Sequence, residues 1–137
     1  MNHMKLSFDA RSENESFARS VVAAFFAALN PTVQEIEDVK TAVSEAVTNS
    51  IVHGYEGRQQ GEIEIECLLD DDKMVATIVD HGKGIPDVKR AMEPFFTTLK
   101  NGERSGMGFT VMQAFCDDVE VISQDGKTVV KLTKSVG

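Results

Sequence analysis

Apolar residues recur along this chain with two periods, near 3.6 and near 2, and the switches between them mark its elements. Leu6 to Ala10 predicts a short first strand. Ser12 and Glu15 have capping-box spacing, and Phe17, Val21, Ala24, Phe25, Ala28 and Leu29 then recur at the helical period. Asn30-Pro31 stops that first helix. Thr32 and Glu35 repeat the capping-box spacing and open a second helix, with Ile36, Val39, Val43, Val47 and Ile51 as its apolar stripe and Gly54 as its C-terminal cap.

Ile63 and Ile65 alternate with Glu62, Glu64 and Glu66, the pattern of a strand with one wet face. Asp70-Asp71-Asp72 reads as a turn, and Met74 to Val79 as the strand that returns from it. Residues 81–108, rich in Gly, Pro, Lys and Thr, predict a long loop with a short helical turn around Val88 to Met92. Met107 to Phe115 predicts a third helix, and Val119 to Ser123 with Thr128 to Thr133 a final hairpin around Asp125-Gly126. The order predicts an α+β fold, a two-layer α/β sandwich with helices covering one face of a mixed, mostly antiparallel sheet. With no internal repeat or linker, one domain over residues 1–137 is expected.

Composition narrows the classes of function. At 42% hydrophobic and 26% charged residues the chain has the make-up of a soluble globular protein. A net charge of −8 argues against direct nucleic-acid binding, which requires basic residues to neutralise phosphates. Cys67 and Cys116 lack CxxC spacing and sit beside apolar neighbours, as packed, reduced thiols do. Met1 to Ser7 contains no signal-peptide apolar run, and Val21 to Leu29 is too short to span a bilayer. A cytoplasmic protein without a membrane partner is expected.

Three segments carry candidate chemistry. Glu45, Asn49 and His53 fall at i, i+4 and i+8, one polar ridge beside the apolar stripe of the second helix. A carboxylate and an amide one turn apart present hard oxygens of the kind Mg²⁺ accepts alongside phosphates and water. Asp80 ends a strand, where its carboxylate is placed to accept from an exocyclic amine such as that of adenine. Gly82 and Gly84 follow, permitting positive φ and close backbone approach. Arg104-Ser105-Gly106-Met107-Gly108-Phe109 leads into a helix, where backbone N–H groups and the helix dipole suit phosphate. Taken singly, these read as a solvated helix face, a tight turn and a flexible helix entry. Neither a Rossmann fingerprint nor a P-loop is present.

In this order and spacing the three segments resemble the Bergerat-fold ATPases, the superfamily of gyrase, Hsp90, histidine kinases and MutL. Glu45 to Asn49 resembles its N box, Asp80 to Gly84 its first glycine box, Gly106 to Gly108 its second, and Gly126 with Thr128 its late Gly-Thr element. Ala10 to Glu15, Ser44 to Asn49 with His53-Gly54-Tyr55, Phe96-Thr97-Thr98 and Glu103 to Phe109 narrow the likeness to the sporulation anti-sigma-F factor family, over roughly residues 5–134. Ser50 stands where that family often has Ala, and His81 where it commonly has an acidic or amide residue.

The resemblance implies a serine-protein kinase that binds a sigma factor and uses ATP, with ADP as its product, to phosphorylate an anti-anti-sigma protein. It implies that Asn49 holds Mg²⁺, Glu45 accepts the proton of the attacking serine, and Asp80 selects adenine with Thr128 beside it. Thr97, Thr98, Ser105, Gly106, Met107 and Gly108 would meet phosphate, and Arg104 would stabilise charge on the transferring group. Glu15 and Arg19, at i and i+4, read by themselves as a solvated ion pair, and the resemblance makes them a candidate sigma-docking patch. A homodimer is also implied. The alternatives are a general-stress anti-sigma kinase, an ATP-switched sigma-binding module without transfer, and a histidine-kinase catalytic domain. The last should be joined to a helical hairpin carrying its acceptor histidine, for which 137 residues leave no room.

Overall fold

The computed structural model describes residues 1–58, 60–84, 92, 108–124 and 126–137. Its period-two runs form β1 (Asn2–Asp9), β2 (Glu62–Asp70), β3 (Lys73–Asp80), β4 (Asp118–Gln124) and β5 (Lys127–Ser135). They lie side by side in the order β1-β2-β3-β5-β4. Every described pair is antiparallel, so the parallel component of the expected mixed sheet is not found. β2–β3 and β4–β5 are hairpins, and even the long helical connection from β1 to β2 returns antiparallel. Asp71, at φ 56, and Gly126, at φ 72, supply the left-handed turn residues of the two hairpins. β1 begins at Asn2, earlier than its apolar residues suggest, because pairing from Asn2–Leu69 to Asp9–Glu62 supplies hydrogen bonds that hydropathy does not report.

Among the described residues the α-helices are α1 (Glu13–Phe26), α2 (Val33–Asn49) and α3 (Gly108–Phe115). They cover the face of the sheet formed by Ile63, Ile65, Cys67 and Leu69 of β2, Met74, Ala76 and Ile78 of β3, and Val130 and Leu132 of β5. Val39, Val43 and Val47 of α2 lie opposite as predicted, with Ile51 just beyond the helix end. Each large side chain buried here contributes about 1.5–3 kcal/mol of transfer free energy, so this layer contact dominates stability.

α1 departs from its predicted face. Ala18, Val22, Ala23 and Phe26 are buried, whereas Phe17 is 53% exposed and Val21 half-buried. The run Val21-Val22-Ala23-Ala24-Phe25-Phe26 is apolar all round, so its periodicity cannot choose a face. Ala18, fully buried, lies on the face that packs inward. Ser12 is in αR conformation and makes no side-chain cap, so the first capping box is not formed. The second is complete, with Glu35 N–H donating to Thr32 Oγ1 at 3.0 Å and Thr32 N–H to Glu35 Oε1 at 2.7 Å.

Gly54 is not a left-handed cap. Ser50–Gly54 continues α2 as one π turn, and the positive φ values come later, at Glu56 and Gly57. The predicted turn near Val88 falls mostly outside the described residues. Far from this end, Lys134 Nζ donates to Asp38 Oδ2 at 3.0 Å and to the Phe115 carbonyl at 2.8 Å, tying β5 to α2 and the end of α3.

Candidate active site

The π turn is where α2 meets the end of β3. Successive i+5 closures widen the helix there, and such turns recur at functional positions. Ser50, 4% exposed, hydrogen-bonds the carboxyl of Asp80, itself 3% exposed. Gly82 N–H donates to Asp80 Oδ1 at 3.0 Å. Burial pushes the Asp80 carboxyl above its usual range, against the hydrogen bonds from Ser50 and Gly82 and the neighbouring His81. A carboxylate has about four acceptor positions, so these two donors leave it capacity for a ligand.

Gly54 lacks a Cβ because Asp80 occupies that space: an added Cβ would lie 2.9 Å from Asp80 Oδ1. Gly82 packs closer still, its hypothetical Cβ 2.1 Å from the Gly54 carbonyl oxygen, and Lys83 N–H donates to that oxygen at 2.8 Å. Gly82 therefore serves approach between two protein backbones, and it does not take positive φ; Gly84 does, at φ 83. Thr128, 5% exposed, is the register partner of Asp80 on β5, and its hydroxyl lies 3.0 Å from Ser123 Oγ. An added Cβ on Gly84 would lie 3.1 Å from the same Ser123 oxygen.

Asn49, which directly precedes Ser50, and Glu45, one turn earlier, are half-buried on α2. Gly108, the first residue of α3, approaches the Asn49 amide so closely that a Cβ there would lie 2.9 Å from Nδ2 and 3.2 Å from Oδ1. The structure thus brings together Asp80, Gly82, Gly84 and Thr128 at one end of the site and Asn49 and Gly108 further along α2. Carboxylate and amide oxygens at Glu45 and Asn49 are chemically suited to a hard cation. The ridge does not extend regularly to His53, because the π turn changes the helical phase after Asn49. Thr97, Thr98, Arg104, Ser105, Gly106 and Met107 lie outside the described residues.

Ser50, Gly54 and Ser123 were not among the predicted site residues. Serines give no motif of their own, although Ser50 directly following Asn49 in a small-residue run is a usable signal. Glu15 and Arg19 sit apart on α1. Glu15 Oε1 accepts from Ser44 Oγ at 2.5 Å, and its Oε2 lies 3.6 Å from Arg19 Nε. The thiols take no part: burial pushes Cys67 up to about 12 and Cys116 up to about 11.

This layering and this polar end of α2 define an ATPase-type nucleotide-binding domain. The model of the histidine kinase-like ATPase domain family matches residues 8–134. The chain belongs to that family and, within it, to the anti-sigma F factors. It is 56% identical over 137 residues to the anti-sigma F factor of Thermoanaerobacter sp. (strain X514), covering 99% of this chain and 95% of that one. It is 52% identical over 134 residues to that of Bacillus thuringiensis (strain Al Hakam), covering 97% and 92%. Among solved structures, the RsbU and RsbW domains of a Mycobacterium tuberculosis protein superpose with TM-score 0.72 at 20% identity, over 99% of this chain and 33% of that one. The catalytic domain of histidine kinase ThkA gives 0.63 at 14% identity, over 99% of each chain. At these identities the structural likenesses establish the fold alone.

Proposed function

We propose that the chain is a serine-protein kinase and anti-sigma factor, which binds a sporulation sigma factor and transfers the γ-phosphoryl group of ATP to a serine of an anti-anti-sigma protein. The observation that carries the nucleotide part is the buried Asp80 carboxylate, held by Ser50 and Gly82 with acceptor capacity to spare beside Thr128. It suits the exocyclic amine of adenine, which would donate to it. The relatives' shared name, anti-sigma F factor, supports the sigma-factor part.

In this reading the phosphates extend from the Asp80 end along α2 toward Asn49 and Gly108. Mg²⁺, when bound through Asn49, neutralises phosphate charge. Glu45 accepts the proton of the incoming serine hydroxyl. The serine oxygen bonds to the γ-phosphorus as the bond to the β-bridging oxygen breaks, and ADP leaves. Arg104 offsets charge on the transferring group, and Thr97, Thr98, Ser105, Gly106, Met107 and Gly108 hold phosphate oxygens. Arg19 is the exposed part of the sigma-docking patch, with Glu15 behind it. The chain acts as one domain and as a homodimer.

The test is incubation with labelled ATP, Mg²⁺ and the candidate anti-anti-sigma protein. Phosphoserine on that protein, lost in Glu45→Ala and Asn49→Ala, is the expected result. ATP binding with no transfer to any partner would instead leave a nucleotide-switched sigma-binding module.

A further inference from the structure

Tyr55 follows the π turn directly, and its hydroxyl makes two hydrogen bonds. It donates to the Glu62 carbonyl at 2.7 Å and accepts from the His81 N–H at 2.7 Å. These two backbone groups belong to the pair next in register after Ile63–Asp80, where the β2–β3 ladder ends. The phenol thus stands between a carbonyl and an amide that would otherwise be free to continue the ladder. Its ring is fixed from the other side by Gly61, where an added Cβ would lie 2.5 Å from a ring carbon. Tyr55 N–H is tied back to the Ser50 carbonyl at 2.9 Å.

The consequence falls on the residue before His81. With its backbone held by Tyr55, the chain leaves β3 toward Gly54, and Lys83 N–H reaches the Gly54 carbonyl. That path puts Gly82 N–H on the Asp80 carboxylate. We propose that Tyr55 is a positioning residue for the adenine-selecting carboxylate: its hydroxyl ends the β2–β3 ladder at Asp80 and fixes the direction of that side chain. Without the hydroxyl, the Glu62 carbonyl and His81 amide either lose their partners or close on each other. Closure pulls His81 toward β2, away from the π turn, and re-aims Asp80.

This inference rests on the reading that Asp80 selects adenine, so the experiment tests the two separately. ADP and GDP affinities are measured by calorimetry on the wild-type chain, Asp80→Asn and Tyr55→Phe. If the wild type does not prefer ADP, or Asp80→Asn keeps the preference, the adenine reading fails. If Asp80→Asn abolishes the preference, Tyr55→Phe is expected to lower the ADP-to-GDP affinity ratio about tenfold, the effect of one misdirected charge-assisted hydrogen bond. An unchanged ratio, or equal loss of both nucleotides, would overturn the positioning role. Should Tyr55→Phe fail to fold, Gly61→Ala keeps the hydroxyl but displaces the ring, and the same fall in the ratio is expected. An unaltered ratio in a folded Gly61→Ala chain would count equally against the proposal.

Discussion

Gly82 lies against Gly54 with no room for a side chain between them: a Cβ on Gly82 would sit 2.1 Å from the Gly54 carbonyl oxygen. This close backbone approach, with the Lys83–Gly54 hydrogen bond at 2.8 Å, ties the segment after β3 to the end of the π turn. Gly82→Ala is therefore expected to cost about 1–3 kcal/mol or more, because neither backbone yields without disturbing the Lys83–Gly54 hydrogen bond. Gly57→Ala is the control. Its backbone is strained for alanine, at φ 71, but nothing lies within 4 Å, so the cost should stay near 1–2 kcal/mol. Urea unfolding measures both, and only Gly82→Ala should also weaken nucleotide binding. Equal effects on binding would remove the special role of the Gly54–Gly82 contact.

Asp80 sets stability against function. Burial raises its carboxyl pKa above the ordinary value of 3.8. A raised pKa means the folded state holds the proton more tightly than the unfolded chain. That contribution is fully present below the unfolded value and is lost as pH rises through the folded one. Asn cannot ionise, and it retains an oxygen for the Gly82 N–H. Asp80→Asn should therefore gain stability over the wild type between about pH 4 and about pH 7.5, while adenine-nucleotide affinity falls about 10–100-fold. Denaturation at the two pH values and calorimetry with ADP test the pair of effects; a variant less stable at the higher pH only would contradict the sign.

α2 is legible in the sequence because its capping box and apolar stripe agree, and the place of Asp80 at the end of β3 because an acidic residue ends a well-marked apolar strand. The face of α1 is not, since its apolar run surrounds the helix and only packing against α2 distinguishes Val22 and Phe26 from Val21 and Phe25. Gly54 hides its role for a related reason. A glycine near a helix end suggests a left-handed cap, while the need for a missing Cβ arises from Asp80, 26 residues later and close only in the fold. Ser50 was visible as an exception in its position, but its bond to Asp80 depends on the π turn, which no periodicity announces.

The two predicted capping boxes provide a direct stability comparison. Thr32→Ala removes the acceptor for Glu35 N–H and should cost about 1 kcal/mol. Ser12→Ala removes no cap bond and should fall within about 0.5 kcal/mol of the wild type. ADP affinity is expected to be unchanged in both. Chemical denaturation distinguishes them; an equal loss at Ser12 would mean that its hydroxyl caps α1 in solution.

Arg19 and Glu15 divide a role that their i, i+4 spacing suggests they share. The Arg19 side chain is 40% exposed and that of Glu15 20%, with one Glu15 oxygen bonded to Ser44 across the α1–α2 contact. The Arg19 end of this 3.6 Å ion pair is open to water, so the pair contributes little to folding and Arg19→Glu should change stability by no more than about 1 kcal/mol. If Arg19 meets the sigma factor, that variant loses sigma binding and keeps its ADP affinity. Ser44→Ala should behave in the opposite way. It withdraws the hydroxyl bonded to Glu15 Oε1 while Oε2 is buried without a hydrogen bond, a loss of about 1–3 kcal/mol in urea unfolding. Because Arg19 is untouched, sigma capture by folded Ser44→Ala should persist. Pull-down of the sigma factor by the two variants decides the division: retention by Arg19→Glu removes Arg19 from the docking surface, and loss in folded Ser44→Ala transfers that role to the Glu15–Ser44 contact.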